Sequence, residues 1–292
     1  MWDALRVLSR IASVAARIAV LLLVLLGLWA LWEGYRRLWE GTGWTRPFPV
    51  NATTMPHLHD IVGTLFDPIR EGEPLLARYM LDAALFTAKE AAVGFAIGAT
   101  VGFLLGALIA RFGFLQRGVM PYVVASQTIP ILALAPIVVV GLGSVSIGGW
   151  TPKDWMRVAV IAAYLTFFPV TVNTVRGLRS ADPAAVELME SYAASEWSVF
   201  WKLRVPAAMP YLFSAFKVAA TASVVGAVIG ELPSSIQSGL GGWNINFNQY
   251  YALDPENLWA VNLVAAVLGI SFFLVVVLVE KLVVHRAPEQ LV

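Results

Sequence analysis

Cysteine is absent from the 292 residues, and only three histidines occur, His57, His59 and His285. The first absence excludes a disulfide framework and thiolate metal sites. His57 and His59 could share one strand face, but no third ligand is evident, so no metal site is expected. Charge is scarce as well, at 13% of residues, where a soluble domain carries roughly a quarter. The formal net charge of +1 is not gathered into a basic face, which argues against nucleic acid as a partner. No Gly-x-x-x-x-Gly-Lys-Ser/Thr loop occurs, so the chain is not expected to hydrolyse ATP. What is plentiful is apolar: 59% of residues are hydrophobic, and there are eleven Trp. Trp29, Trp32, Trp155 and Trp259 stand near the ends of apolar runs, as interface residues of a membrane protein do. Uncharged runs this long would leave a soluble enzyme without a polar surface.

In chain order, a basic lead (Arg6, Arg10, Arg17) precedes a first span at about 14–32, which shows no small-residue cleavage site and reads as retained. Residues 34–80 are turn-rich and too polar to cross; an external loop and a surface helix are expected there. A second span covers about 84–110. Its glycines 94, 98, 102 and 106 recur every fourth residue, placing them on one helix face where a neighbouring helix approaches closely. From Gly118 to Pro152 no charge appears, and Pro121, Pro130 and Pro136 interrupt the run. One broken span, about 119–142, is expected. Its Gln127-Thr128-Ile129-Pro130 segment is helix-breaking backbone that must face protein or a water-filled cavity. Gln127 and Thr128 are therefore either pathway residues or interhelical hydrogen-bond partners. Further spans fall at about 158–176, 210–230 and 259–279. Lys217 and Glu231 lie near span ends, where snorkelling accounts for them. The fold class is thus an all-α polytopic membrane protein with about six transmembrane helices. With both termini inside, twelve basic residues fall on the cytoplasmic side and eight outside, the direction of the positive-inside rule.

One polar stretch stands out between spans, Asp182 to Lys217. Asp182-Pro183 opens a helix, with an acceptor at the cap and Pro at the first helical position. Glu187 and Glu190 share roughly one face. Ala193-Ala194-Ser195 makes an uncrowded corner. A second helix carries Trp197, Phe200 and Trp201 and is limited by Pro206 and Pro210. On these residues alone, the hairpin either docks on a partner or lies on the membrane surface.

The stretch resembles the cytoplasmic loop of the inner-membrane permeases of binding-protein-dependent ABC importers, whose pattern is Glu-Ala-Ala, three residues, Gly, nine residues, Ile-x-Leu-Pro. Glu187-Leu188-Met189 stands at Glu-Ala-Ala, Ala193 at the Gly, and Leu203-Arg204-Val205-Pro206 at the closing motif. If the Gly occupies a left-handed bend, Ala193 strains it by roughly 1–2 kcal/mol; otherwise the corner is a continuous or differently bent helix. Further segments are similar to the nitrate, sulfonate, taurine and pyrimidine-precursor branch: GFAIGATVGFLLGALIA, QTIPILALAP, TFFPVTVNTVRGLRSADP and GELPSSIQSGLGG. The resemblance covers roughly residues 80–283.

The resemblance implies a type I ABC importer permease fold in a bacterial inner membrane. Residues 1–79 would be an N-terminal span and external loop, 80–283 the transmembrane domain with a coupling loop at 177–210, and 284–292 a cytoplasmic tail. Glu187, Glu190, Ala193, Ser195, Trp197 and Pro206 would meet cytoplasmic ATP-binding subunits, which hold the ATP and magnesium; this chain would carry no cofactor. A solute-binding protein would deliver a small-molecule cargo, and a second permease copy would complete a homodimer. Glu231 would belong to an outer gate, and Gln127, Thr128, Asn173 and Asn246 would be polar pathway residues. The alternatives are an ion-coupled secondary transporter, which the scarcity of intramembrane ionisable groups disfavours, and a non-transporting membrane scaffold.

Overall fold

The computed structural model describes residues 2–43, 46, 49–146, 148–234 and 236–284; of these, the side chains of residues 2–15, 17, 18 and 21 lie outside the description. Among the described residues regular structure is helical, apart from one isolated bridge between Pro68 and Leu75. The helices are α1 (Trp2–Thr42), α2 (Leu58–Gly63), α3 (Leu76–Arg111), α4 (Gly113–Ser126), α5 (Ile131–Gly143), α6 (Asp154–Leu178), α7 (Pro183–Ser191), α8 (Glu196–Val199), α9 (Val205–Glu231), α10 (Leu240–Gln249) and α11 (Pro255–Val283). The chain forms two compact units, Met1–Leu76 with Gln249–Ala260, and Ala77–Asn248 with Val261–Val292. The sequence-predicted first span lies in α1 and partly outside the described side chains, and the tail from 285 onward lies outside them altogether.

Within the larger unit, the four-residue glycine period explains how two spans meet. A Cβ on Gly94 would fall 2.4 Å from Ala162 Cβ, one on Gly98 2.5 Å from Ala163 O, one on Gly102 2.6 Å from Phe167 O, and one on Gly106 2.6 Å from Thr174 Cβ. No side chain fits between α3 and α6 at these four levels. Without a hydrophobic driving force between helices in lipid, such close backbone approach is what van der Waals association requires. The contacts advance together along both helices, so α3 and α6 run parallel.

That direction settles how the Pro-rich stretch behaves. Among the described residues four helices are long and apolar enough to cross a membrane, with α4 and α5 forming a further pair bent by 97° at their break. Two parallel crossings need one return between them. The pair starts just after Arg111 at the end of α3. At its far end, a Cβ on Gly143 would meet the Arg157 guanidinium near the start of α6. It therefore makes one broken crossing, as its prolines predict. The break is held by the Tyr164 hydroxyl, which donates to Ser126 O.

α9 packs antiparallel on α6: Gly177 of α6 lies against Ala208, and Gly226 and Gly230 of α9 lie against Ala162 and Val158. The core runs through these contacts, with Val158, Ile161, Ala162, Val224 and Ala227 buried beside Ala135 and Val139 of α5. A second layer of Val170, Ala215 and Ala219 sits under Phe95, Phe103 and Phe216. The outward faces of α3 and α11 remain apolar and exposed, as at Leu85, Leu104, Leu274 and Leu278, the composition expected where lipid is the solvent.

The smaller unit is organised around Glu33 of α1, which is 4% exposed. Its Oε1 accepts from the Leu58 amide at 3.0 Å, and its Oε2 lies 2.8 Å from His57 Nδ1. Trp32 Nε1 donates to Pro56 O at 3.1 Å and its ring meets Trp259 edge-on. α1 extends ten residues beyond the sequence-predicted span, to Thr42, so the expected external loop starts later than residue 34.

Candidate functional site

The hairpin of α7 and α8 emerges where the end of α6 meets the start of α9. Asp182 caps α7 by accepting from Ala184 N at 3.0 Å, with Pro183 in the first turn. At the other end Ala193 N donates to Glu190 O at 2.9 Å and Ala194 N to Met189 O at 3.0 Å. This paired closure is a Schellman motif, which requires a left-handed residue between the two donors. Ala193 takes that role with φ 52°, and no other non-glycine residue described has a positive φ. Of the two corners open to the sequence, the strained left-handed one is adopted.

Ser195 then caps α8, its Oγ accepting from Ser198 N at 3.3 Å. Trp197, Phe200 and Trp201 form a ring cluster with centroids 5.2–6.2 Å apart. Glu187, Glu190, Ala193, Ser195, Trp197 and Pro206 are all exposed, as are Leu188 and Tyr192. Arg111 at the end of α3 pairs with Glu196, tying the hairpin to the bundle.

Pro206 and Pro210 do not end the second helix as expected. One helix runs from Glu196 to Glu231, passing Pro206 through a π-helical turn at Phe200–Arg204. Pro206 lacks the N–H that would close an α-turn on Lys202, and the wider turn absorbs the loss while leaving the rod intact.

At the opposite end of the same helix, Glu231 is completely buried. Snorkelling does not describe it. Its Oε1 accepts from the Thr87 hydroxyl at 2.7 Å and its Oε2 from the Gly241 amide. Thr87 Oγ1 in turn accepts from Leu240 N at 3.0 Å. Thus α3, α9 and the start of α10 close on one carboxyl group. Two glycines make the space: a Cβ on Gly239 would lie 2.0 Å from Glu231 Oε1, and one on Gly241 2.5 Å from Val228 O.

Glu90, one turn beyond Thr87, is fully buried too and interacts with Glu231. Neither of its carboxyl oxygens has a hydrogen-bond partner among the described residues. The sequence reading missed Glu90 because it abuts Lys89 at the edge of an uncharged run, where a carboxylate reads as an interface residue. Lys217 is likewise not merely snorkelling: its Nζ lies 2.9 Å from Glu280 Oε2 of α11.

The expected pathway residues are scattered. Gln127 and Thr128 are exposed at the 97° break, and the Thr128 hydroxyl donates to Ala125 O at 2.8 Å. Asn173 Nδ2 donates to Pro169 O one turn back at 2.8 Å. Asn246 is exposed on α10. Among the described residues no hydrogen bond links these four to one another or to Glu231.

A polytopic all-α bundle with a broken span and an exposed, capped hairpin between its spans defines a membrane transport component. The chain belongs to the inner membrane components of binding-protein-dependent transport systems, matched over residues 98–286. It is 34% identical over 176 residues to the formylaminopyrimidine transport permease protein ThiX of Halalkalibacterium halodurans, over 60% of this chain and 66% of that one. To the riboflavin transport system permease protein RibX of Chloroflexus aurantiacus it is 31% identical, over 69% of this chain and 70% of that one. To the putative aliphatic sulfonates transport permease protein SsuC of Bacillus subtilis it is 28% identical, over 78% and 73%. The chain thus spans about two thirds of the length of the curated relatives it matches. A solved structure described as an amino acid ABC transporter with histidines superposes with a TM-score of 0.56 at 14% identity, over 70% of this chain and 94% of that one. At that identity the likeness concerns the fold alone. The family is one of transport components without an ATPase site of their own.

Proposed function

We propose that this chain is the permease subunit of an ATP-driven importer, forming the translocation pathway for a small solute and taking its energy from a separate ATPase through residues 182–206. The observation that carries this reading is the hairpin. It is fixed at both corners, presents Glu187, Glu190 and Trp197 to solvent, and continues without interruption into a membrane-crossing helix.

On this reading the hairpin, both termini and the end bearing Arg111, Arg176 and Arg179 face the cytoplasm of a bacterial inner membrane. Cytoplasmic ATP-binding subunits, with ATP and magnesium, dock on the hairpin. A solute-binding protein delivers cargo to the opposite face, where Glu231 and α10 form the gate. A second copy of the chain completes the pathway as a homodimer, since no internal duplication supplies the other half. The names of the relatives favour a small heterocycle of the pyrimidine or flavin kind, with an aliphatic sulfonate as the second reading.

Co-purification with an ATPase subunit tests the coupling, and charge reversal at Glu187 tests the contact. Association and uptake are expected to fall together in Glu187→Lys. Wild-type behaviour of that variant would remove Glu187 from the interface. Mass spectrometry of ligand retained by the intact complex with its binding protein would decide between heterocycle and sulfonate.

A further inference from the structure

We propose that Glu33, His57 and His59 form a binding site for a divalent transition-metal ion of the zinc class. The three side chains come from two places far apart in sequence: Glu33 from α1, and the two histidines from the N-terminal edge of α2, where His57 is the cap residue. One ligand atom from each lies within 4.8 Å of the other two. The imidazole rings stack with centroids 5.0 Å apart and planes inclined by 26°. Glu33 is the third ligand missing from the sequence reading, which paired the histidines on a strand rather than at a helix start.

The set is built rather than incidental. Glu33 is 4% exposed, and burying a carboxylate is costly unless it is paired. Its Oε1 is used by the Leu58 amide, which aims the other oxygen at His57 Nδ1, 2.8 Å away. Two ligands of a tetrahedral ion at zinc–nitrogen and zinc–oxygen bond lengths stand about 3.3 Å apart. Opening the existing contact by about half an ångström admits an ion in place of the shared proton.

The chemistry of the donors selects the ion. Two imidazoles and one carboxylate suit zinc, cobalt or nickel, whereas calcium and magnesium take all-oxygen sets. A carboxylate also adjoins the ligands, since Asp60 Oδ1 lies 3.2 Å from His59 Nε2. This is the kind of outer partner that orients metal-binding histidines. The same edge of the unit opens on a cleft lined by His59, Asp60, Asp67, Asp254 and Glu256, whose carboxylates raise the local concentration of cations. A bound ion would join α1 to the start of α2 across 24 residues of sequence. Nothing in this assignment depends on the transport reading.

The test uses the full-length chain in lipid nanodiscs, freed of any affinity tag and stripped with chelator. Titration with Co2+, followed by visible absorption, and with Zn2+, followed calorimetrically, should give one ion per chain and a tetrahedral cobalt band. Exposed His59 can be changed without disturbing the buried carboxylate, so His59→Ala is the decisive variant and Glu33→Gln the supporting one. A loss of affinity of at least about tenfold in His59→Ala, with wild-type binding in His285→Ala, is the expected result. Unchanged binding in His59→Ala, or no cobalt band in the wild type, would overturn the site.

Discussion

The two ends of the helix from Glu196 to Glu231 are built on opposite principles. At the Glu231 end two carboxyl groups are buried, that of Glu231 held by a hydroxyl, an amide and two glycines with no room for a Cβ, and that of Glu90 beside it. At the Trp197 end the polar and aromatic side chains face outward, and the backbone is strained at Ala193. Closure at one end and display at the other fit a helix that reports to a partner on one side and is locked on the other. The hydrogen-bonded Glu231 carboxyl group joins α3, α9 and α10 at one point, while exposed aromatic side chains are what an interface anchor needs.

Substitutions can break this contrast or sharpen it. The largest effect is expected in the glycine seam between α3 and α6, the helix on which α9 packs. Gly98→Leu drives side-chain atoms into the backbone of α6 and should cost about 3 kcal/mol or more, seen as loss of a monodisperse protein in detergent. Gly269→Leu on α11, where nothing lies within 4 Å, should stay within about 0.5 kcal/mol and serves as its control. At the sealed end, Thr87→Val removes the hydroxyl shared by Glu231 and Leu240. Leaving these groups unpaired should cost about 2–3 kcal/mol, read as a lower thermal midpoint. If the midpoint does not move, the nest is not closed in the way described.

At the displayed end the effects on stability are smaller, and the first has the opposite sign. Ala193→Gly should stabilise the protein by about 1 kcal/mol, because Gly adopts the left-handed corner without steric penalty. Destabilisation there would mean the corner is not left-handed in the folded protein. Glu187→Lys, on an exposed face, should leave the thermal midpoint almost unchanged, within about 0.5 kcal/mol, while abolishing ATPase association. A variant that lost both together would show that the hairpin is structural rather than displayed.

Much of this architecture was legible before the fold was known, and the reasons are physical. A four-residue glycine period can only line one face of a helix, so the seam between α3 and α6 was readable from α3 alone. The cap at Asp182-Pro183 is local chemistry and was equally plain. The nest around Glu231 was not, because its members come from positions 87, 90, 231, 239 and 241. A lone Glu at the end of an apolar run looks the same whether it faces headgroups or a neighbouring helix. The two glycines after it read as a turn, and only the position of the carboxyl group shows why they have no side chain. Pro206 misled for a related reason. Proline forbids an α-turn locally, but a π-turn preserves the helix axis, and packing of Ala208 and Leu212 in the core favours the continuous path.

The unbroken run from Glu196 to Glu231 has a mechanical meaning. At 36 residues it is about 54 Å long, and a helix bends sharply only where its ladder is interrupted. Here those places lie near the hairpin, at the π-turn Phe200–Arg204 and at Pro206 and Pro210, so the stretch beyond Pro210, packed on α6 as far as Gly230, is the stiff part and any flexing falls next to Trp197.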